Sequence, residues 1–297
     1  MPEMPEVQGL VDFLRAKLVP RDAPSAVVAD VEVLSFAVLK TAAVPLSTLI
    51  GQSVSAVERR GKFLVITAGG VHLVMHLARA GWLRWSDALK PGRLRPGKGR
   101  MALRMRFAAG ADDDGGAEPG FDLTEAGTRK SLAVYVVRDL QDVPGIARLG
   151  PEVFDVDYAA FAALVSSHRG QIKGLLRDQS VIAGIGNAYS DEILHAAHLS
   201  PFANAAKLKP EEVQRLYEAV HATLESAIAN ASGRPAAELK DSKRRALRVH
   251  ARTGEPCPVC GDTVREVSFA DSSLQYCPTC QTGGKLLADR RMSKLLK

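Results

Sequence analysis

The chain has 297 residues, of which 46% are hydrophobic and 24% are charged. This length is about twice the ~150 residues of a typical domain, so we expect two folded units. The composition excludes a wholly disordered chain, and the apolar runs are far shorter than the ~18 residues that a membrane span needs. Acidic residues near the N-terminus replace the basic segment of a secretory signal, which predicts a cytoplasmic protein.

The net charge of +6 is concentrated toward the C-terminus. Residues 234–252 hold seven Lys or Arg against two acids, residues 253–280 carry −3 and residues 281–297 carry +4, which leaves residues 1–233 neutral. Basic segments on both sides of a cysteine cluster favour a polyanionic partner, most often nucleic acid. A solvated surface that binds nothing specific is the alternative.

Residues 1–140 predict one helix followed by a β domain. In residues 6–18 apolar side chains recur at helical spacing directly after two prolines. The stretch Gly110–Gly120 has no periodicity and predicts a mobile surface loop. Short Val-rich segments predict the strands of a β-sandwich or barrel, namely Val27–Val33, Val54–Glu58, Phe63–Thr67, His72–His76, Met101–Phe107 and Leu132–Val137.

A Gly- and Pro-containing linker is predicted at residues 141–156, followed by a helical domain over residues 157–250. Gln179–Asn187 forms a glycine-rich turn between two helices. Amides in such a turn can bind a phosphate, although packing alone also explains the glycines. Basic residues just before the turn, Arg169, Lys173 and Arg177, favour phosphate binding. The helices expected in this domain are Tyr158–Ser167, Ile172–Asp178, Asn187–His198 and Glu211–Ala231.

The four cysteines form two Cys-x-x-Cys pairs with 16 residues between the pairs: Cys257, Cys260, Cys277 and Cys280. This spacing is typical of a four-cysteine zinc site, and the two short strands expected between the pairs predict a zinc ribbon with a basic tail over residues 251–297. Two disulfides are the alternative, which a cytosolic chain without other cysteines disfavours. With four protein ligands, the single Zn²⁺ ion is predicted to be structural.

Four motifs follow one another along the chain: Pro2-Glu3-Met4-Pro5-Glu6, Arg60-Gly61-Lys62-Phe63-Leu64, Gly184-Ile185-Gly186-Asn187 with Tyr189 and Asp191-Glu192, and Thr253-Gly254-Glu255-Pro256-Cys257 leading into the ribbon. Together they resemble the bacterial formamidopyrimidine-DNA glycosylase and endonuclease VIII family of helix-two-turn-helix DNA glycosylases. The resemblance covers nearly the whole chain. It implies an α+β multidomain fold with an N-terminal helix plus β-sandwich, a helix-two-turn-helix domain and a C-terminal zinc ribbon.

The resemblance also implies a function. The expected enzyme is a nucleoid-associated monomer that binds damaged double-stranded DNA, flips the lesion out of the duplex and cuts its glycosidic bond. It is expected to need no membrane and no nucleotide cofactor.

The N-terminal residues offer the chemistry for such a reaction. Once Met1 is removed, Pro2 presents a secondary amine, and an α-amino group has a pKa near ~7.7–8.0. This amine can attack a sugar C1′, and the resulting iminium acidifies the adjacent carbon, so elimination can cleave the strand. Glu3 is the adjacent side chain able to shuttle protons. Many chains begin Met-Pro-Glu without catalytic use, and the distant motifs favour the catalytic interpretation here.

The resemblance assigns roles to further residues. Lys62 matches a lysine that reaches the active site and binds the phosphate beside the lesion, so we group it with Pro2 and Glu3 as catalytic. Arg129 resembles an arginine that inserts into the duplex, and Glu6 an acid near the catalytic pocket. The full set that matches DNA-binding positions is Glu6, Arg79, Arg129, Arg169, Lys173 and Asn187.

The chain departs from the family pattern at residues that contact the lesion. Arg79 stands where the family usually has a methionine that fills the gap left by the flipped base. Ser131 replaces a wedge phenylalanine, and Ser272 replaces an arginine of the ribbon. Residues 236–245 replace the lesion-covering loop. These changes predict a divergent group within the family, whose preferred lesion need not be 8-oxoguanine.

Three functions therefore remain open from the sequence. A bifunctional glycosylase and AP lyase is favoured. The alternatives are a protein that binds damaged or abasic sites with little excision, and a zinc-ribbon protein that acts on RNA or on other proteins.

Overall fold

The computed structural model describes residues 2–90, 92, 94, 99–108, 118–127, 130–270 and 272–288. The chain divides into two compact units. Unit 1 comprises residues 1–148 and 231–241, and unit 2 comprises residues 149–230 and 242–297. Segment 231–241 therefore belongs to unit 1, although it lies within the 157–250 range expected for the helical domain. Residues 110–117 of the predicted loop Gly110–Gly120 lie outside the described residues.

Unit 1 begins with helix α1, Met4–Leu18. Pro5 lies in the first turn, where its missing N–H removes no helical hydrogen bond. Apolar residues spaced three and four apart are buried on one side of the helix: Met4, Val7, Leu10, Val11, Leu14 and Leu18. This buried stripe fixes α1 in the core of unit 1, so the residues at its N-terminus start from a rigid element.

The β domain consists of two four-stranded antiparallel sheets that contribute to one apolar core with α1. The first sheet has the order β2 (Val54–Arg60), β3 (Phe63–Ala68), β4 (Val71–His76) and β8 (Ala133–Val137). The second has the order β1 (Val28–Val33), β6 (Met101–Phe107), β7 (Gly120–Glu125) and β5 (Gly81–Ser86).

Strands β5 and β7 are absent from the sequence-based prediction. Each begins with a glycine, a residue that is depleted in strands. In the structure these glycines allow close backbone approach, because a side chain at Gly81 would collide with the carbonyl of Leu77 and one at Gly120 with the carbonyl of Met105. The predicted N-terminal helix and β-sandwich are confirmed with these two strands added.

Unit 2 is mainly helical. Its helices are α2 (Tyr158–Ser167), α3 (Ile172–Arg177), α4 (Asn187–Ala196) and α5 (Pro210–Ala231), and α5 leads into segment 231–241. A further helix, α6 (Leu239–Ala246), leads back and was not predicted, because most of its residues are charged or polar. The ribbon follows as β9 (Arg265–Ser268), β10 (Ser273–Tyr276) and the short helix α7 (Pro278–Thr282).

Short 3₁₀ helices complete the described elements, at Phe36–Val38, Leu46–Leu49, Leu140–Asp142, Val153–Asp155 and Ala205–Lys207. Among the described residues, no helix is both long and apolar enough to cross a membrane.

Candidate functional site

Pro2 and Glu3 lie directly before α1 and are buried. Glu3 is the N-cap of the helix, and the residue is only 1% exposed. The amide of Glu3 donates to Oε2 of Glu6 at 2.8 Å, within a reciprocal capping box of the two glutamates. Both carboxylates lie at a helix N-terminus, where the helix dipole favours negative charge. The predicted nucleophile and proton shuttle therefore occupy a water-poor site fixed by the start of a helix.

Lys62 lies in the two-residue turn between β2 and β3, where Arg60 pairs with Phe63. Gly61 has φ +54°, a left-handed conformation that favours glycine. The guanidinium of Arg59 donates to the Gly61 carbonyl at 2.9 Å and to Oε1 of Gln8 at 3.0 Å. Because Gln8 belongs to α1, Arg59 ties the turn that carries Lys62 to the helix that carries Glu3.

His76 lies near Lys62 and was not singled out from the sequence. It pairs across the strands with Phe63, and the two rings are 4.8 Å apart. Burial lowers the pKa of His76 to about 4, and the nearby Lys62 ammonium acts in the same direction. At neutral pH the imidazole is therefore uncharged and adds no repulsion to Lys62. The register of the β3–β4 hairpin, which places residue 76 opposite 63, was the signal available in the sequence.

Arg79 is exposed in the turn between β4 and β5. The amide of Gly81 donates to the Leu77 carbonyl at 2.9 Å, which closes the turn. Ala78 has φ 51°, a conformation that residues with a side chain rarely adopt. The tight turn projects Arg79 outward, in agreement with a residue that contacts a ligand.

Arg129 lies outside the described residues. The chain just after it is fixed by the buried carboxylate of Glu125, because Oε1 accepts hydrogen bonds from the amides of Ser131 at 2.7 Å and Leu132 at 2.9 Å. The Lys130 ammonium donates to the Glu125 carbonyl at 2.7 Å.

The glycine turn of unit 2 comprises residues 178–186, between α3 and α4. Its conformation is held by Gln179, whose side-chain amide donates to the carbonyls of Arg177 and Ile185, both at 2.8 Å. The same side chain accepts from the amide of Gly184 at 3.1 Å, where φ is 109°. This organisation presents the turn as a preformed backbone element at the N-terminus of α4.

Lys173 was expected to contact phosphate, but its side chain is only 6% exposed. Its ammonium lies 2.6 Å from the Asp191 carboxylate, 2.7 Å from the Ser190 hydroxyl and 3.1 Å from the Asn187 carbonyl. An ammonium enclosed by three oxygens positions the turn, and its expected contact with phosphate stays a prediction. Arg169, by contrast, is exposed just before α3.

Asn187 is the first residue of α4 and connects the turn to the ribbon. Its side-chain amide donates to the Ser273 carbonyl at 2.8 Å. Its Oδ1 is buried and accepts no hydrogen bond from the described residues. Part of the hydrogen-bonding capacity of the side chain is therefore used within the protein, and the phosphate contact of Asn187 stays a prediction.

Two buried acids of α4, Asp191 and Glu192, belong to the sequence motif but had no role assigned to them. Asp191 accepts from His250 Nδ1 at 2.7 Å and from the Gln275 amide at 3.2 Å, in addition to Lys173. Glu192 accepts from three successive amides, of residues 248, 249 and 250, at 2.8 to 3.0 Å. Burial raises the pKa of Glu192, and the amide hydrogen bonds oppose this shift. These carboxylates join α4 to the ribbon and to the segment just before it.

The four cysteines are unpaired thiols whose ligand atoms all lie within 4.8 Å of one another. The Sγ atoms of Cys257 and Cys280 are 3.9 Å apart, and those of Cys260 and Cys277 are 3.3 Å apart. Tetrahedral Zn–S bonds of ~2.3 Å require sulfur separations of about 3.8 Å, so the donor set and spacing fit one zinc ion. The two cysteine turns are joined by Asp262, which accepts from the Thr279 hydroxyl at 2.8 Å. The predicted structural zinc site is confirmed.

His195 contacts this cluster from α4 and was missed in the sequence analysis. It is 1% exposed, and its Nε2 lies 3.2 Å from Cys257 Sγ. Burial lowers the pKa of His195 to about 4, so the ring is neutral and can donate only one proton. A donor to a zinc-bound thiolate supports the ligand from outside the coordination sphere.

Comparison with known families matches three successive parts of the chain. The N-terminal domain of formamidopyrimidine-DNA glycosylase matches residues 1–129, and the H2TH domain of that enzyme matches residues 149–237. The zinc finger found in FPG and IleRS matches residues 254–283. Their order agrees with the helix and sheets, the glycine turn and the cysteine ribbon described above.

Relatives match over nearly full length. A formamidopyrimidine-DNA glycosylase of Moorella thermoacetica is 35% identical over 290 residues, which cover 90% of this chain and 94% of the relative. That of Pelotomaculum thermopropionicum is 31% identical, with 95% and 99% covered. An uncharacterized formamidopyrimidine-DNA glycosylase-like protein of Mycobacterium tuberculosis is 62% identical over 149 residues, which cover 50% of this chain and 94% of that protein.

Solved structures show the same fold. A Lactococcus lactis Fpg in complex with abasic-site DNA has a TM-score of 0.79 at 24% identity, covering 95% of this chain and 100% of that chain. A complex of wild-type Lactococcus lactis Fpg with DNA containing N7-benzyl-Fapy-dG has a TM-score of 0.77 at 25% identity, with the same coverage. On the strength of these matches, the chain belongs to the formamidopyrimidine-DNA glycosylase family, whose members are zinc-finger DNA-repair glycosylases.

Proposed function

We propose that the protein is a bifunctional DNA glycosylase and AP lyase, which removes damaged bases from double-stranded DNA through a Schiff base on Pro2. The observation that carries the proposal is the burial of Pro2 and Glu3 at the fixed start of α1. A low-water site favours an uncharged amine and strengthens the electrostatic effect of a carboxylate. We further propose that the enzyme acts in the cytoplasm, at the bacterial nucleoid, as a monomer.

The chemical steps use the atoms of Pro2 and Glu3. The lone pair of the Pro2 nitrogen forms a bond to the sugar C1′ and the bond from C1′ to the base breaks. The proton that the Pro2 amine loses protonates the departing base. The Glu3 carboxyl transfers a proton to the ring oxygen as the sugar opens to the iminium. Loss of a proton from C2′ then expels the 3′ phosphate, which cleaves the strand without an external oxidant or reductant.

The remaining site residues hold the DNA. Lys62 supplies a cation next to this helix start, where it can bind the phosphate beside the lesion. The exposed Arg169 and the backbone of the glycine turn supply phosphate contacts from unit 2. We assign Arg79 to the space left by the flipped base, because an arginine can stack on bases and pair with the partner base. Lys173 acts indirectly, by holding the turn.

Borohydride trapping on a duplex that contains an abasic site tests this proposal. Protein from which Met1 has been removed, verified by mass spectrometry, should give a covalent adduct at Pro2. Protein that retains Met1 should bind the DNA but give no adduct, because its Pro2 nitrogen is an amide. If the adduct forms with Met1 present, a lysine is the nucleophile, with Lys62 the first candidate, and the assignment of Pro2 is wrong.

Two substitutions separate the roles within the site. Glu3→Gln should abolish base excision more fully than cleavage at an abasic site, which needs less acid catalysis. Pro2→Gly leaves a primary amine and should keep part of the lyase activity. Tight binding of damaged DNA without adduct or excision would instead support the second candidate, a damage-binding protein, which the replaced lesion-contacting residues Arg79 and Ser272 favour.

A further inference from the structure

A groove at the edge of one sheet of unit 1 is not used by the function proposed above. Strand β5 is the last strand in its sheet. Beside it, α1, β5, β7 and segment 231–241 enclose a groove of about 810 Å³. This volume lies within the ~300–1,000 Å³ that is typical of ligand sites. All of its lining residues belong to unit 1.

Both tryptophans of the chain line this groove. Trp85 is held in place: its ring centroid lies 6.0 Å from those of Phe13 and Phe107, and its indole N–H donates to Asp87 at 2.8 Å. Trp82 projects from the opposite face of β5 and is partly exposed. Its indole N–H has no hydrogen-bond partner among the residues that the structure describes. Trp82 therefore offers an accessible aromatic surface on a firmly packed strand.

The charges around the groove are mainly positive. Lys17 is neutralised by Asp87, whose carboxylate lies 2.8 Å from the ammonium. Three further cations line the groove against one remaining acid, Asp241: they are Arg84, Arg100 and Lys240. All three are exposed, and within the described part of the chain none of them forms an ion pair. The groove thus combines an aromatic surface with a surplus of positive charge.

We propose that this groove binds unpaired nucleotides of single-stranded DNA, with a base stacked on Trp82 and phosphates facing Arg84, Arg100 and Lys240. Stacking on aromatic side chains combined with a basic groove is the general means of binding single strands. Bases in a duplex are stacked on each other, so their faces are not available to Trp82. A neutral apolar ligand would leave the three cations without partners.

The source of the ligand rests on the proposed function. Strand cleavage at an abasic site leaves a short end that has lost one base pair. Glu6 and Phe13 lie seven residues apart on one face of α1, which is about 10 Å along the helix. A strand that leaves the proposed catalytic site therefore has only a few nucleotides to span before it reaches the groove.

Tryptophan fluorescence tests the groove directly, because both fluorophores line it. Addition of a short oligodeoxythymidylate to the full-length protein should quench the fluorescence in a saturable manner, and the apparent affinity should fall with added salt. Trp85→Phe should retain the quenching, whereas Trp82→Phe should lose it. Trp82→Ala should weaken binding by about tenfold, measured by anisotropy of a labelled oligonucleotide.

Charge variants keep the test valid if a tryptophan variant fails to fold. The double variant with Arg84→Gln and Arg100→Gln changes exposed side chains only. It should weaken binding of the oligonucleotide by at least about tenfold, with a shallower salt dependence. Arg21→Gln, an exposed arginine outside the groove lining, is the matched control and should bind as the unmodified protein does. Absence of quenching, or undiminished affinity in the double variant, would overturn the proposal.

Borohydride trapping of the double variant on abasic duplex DNA separates this proposal from the proposed function. Neither Arg84 nor Arg100 has a role in the covalent step, so the adduct should form as in the unmodified protein. An adduct without oligonucleotide quenching would support the proposed function and contradict the proposed role of the groove. Quenching without any adduct in the unmodified protein would contradict the proposed function and support the proposed role of the groove.

Discussion

The start of α1 and the junction of α4 with the ribbon are both buried and polar, but they are stabilised by different interactions. At the start of α1, two glutamates share a capping box, and the helix behind them is fixed by an apolar stripe. At the junction, the Asp191 carboxylate contacts Lys173 and His250, and a second histidine of α4 contacts one of the four clustered thiols. The first region depends on apolar packing, whereas the second depends on buried charges and metal binding.

Two lysines illustrate the difference. Sequence motifs place Lys62 and Lys173 in the same role, as cations that grip phosphate. Lys62 stands half-buried in a two-residue turn, whereas Lys173 is enclosed by three oxygens of α4, one of them from the fully buried Asp191. A motif can thus identify a lysine at a functional site without showing whether its charge faces the ligand or the protein. Substitution of Lys62 should therefore affect unit 1, and substitution of Lys173 should affect unit 2.

Zinc removal should have the largest effect and should affect unit 2 alone. Structural zinc supplies about 10–16 kcal/mol of apparent binding free energy in zinc-finger peptides, and the ribbon has little apolar core of its own. Strong chelation or Cys277→Ser should make residues 254–283 sensitive to protease and weaken DNA binding. Tryptophan fluorescence should stay unchanged, because Trp82 and Trp85 both lie in unit 1. Finding no stoichiometric zinc in protein purified without chelator would contradict the prediction.

Lys173→Met should be the next most severe change. The substitution removes the ammonium that pairs with the buried Asp191 carboxylate. Loss of one partner of a buried ion pair typically lowers the free energy of unfolding by about 3–5 kcal/mol. Helical circular dichroism during urea unfolding measures this loss. The matched variant Lys62→Met should change stability by less than about 1 kcal/mol and should reduce DNA binding at low salt. Normal stability of Lys173→Met together with a flatter salt dependence would instead restore Lys173 as a phosphate contact.

A smaller effect is expected from His76 in unit 1. Its pKa is lowered from 6.5 to about 4 in the folded protein, so the unfolded chain takes up the proton first as the pH falls through this range. Its contribution to stability is complete above pH 6.5 and falls by about 3 kcal/mol at most as the pH approaches 4. The difference in unfolding free energy between the unmodified protein and His76→Gln should therefore shrink on acidification. A difference that is constant with pH would show that His76 is accessible to solvent protons.

The sequence predicts most of the fold because its signals are local. Helix α1 follows from spacing and two prolines, β8 from a Val-rich run, and the ribbon from cysteine spacing. The misses have a common cause, which is that they depend on partners distant in sequence. The glycines of β5 and β7 are needed for contacts with neighbouring backbone, and the partners of Lys173 lie across a turn, up to 18 residues away. His195 likewise meets Cys257 at a separation of 62 residues.

The candidate site divides in the same way. Pro2, Glu3 and the four cysteines could be proposed from motifs, because each motif holds within a short stretch of sequence the reactive or metal-binding groups that it needs. The position of Lys62 also follows from sequence, because a two-residue turn with glycine joins two strands. The Arg59 bridge from this turn to Gln8 could not be predicted, because it depends on how α1 lies against the sheet.

Segment 231–241 gives unit 1 a discontinuous chain, and this affects how the protein folds during synthesis. Ala231, Ala236 and Leu239 belong to the same apolar core as α1 and the two sheets, and Leu239 and Ala231 lie against Gly9. These residues leave the ribosome only after residues 149–230 have been made. Unit 1 thus cannot complete its core until most of unit 2 has emerged, so the usual order, in which the N-terminal unit folds first, does not hold for its final step. A ribosome stalled before residue 231 carries a unit 1 whose α1 still has an uncovered glycine face.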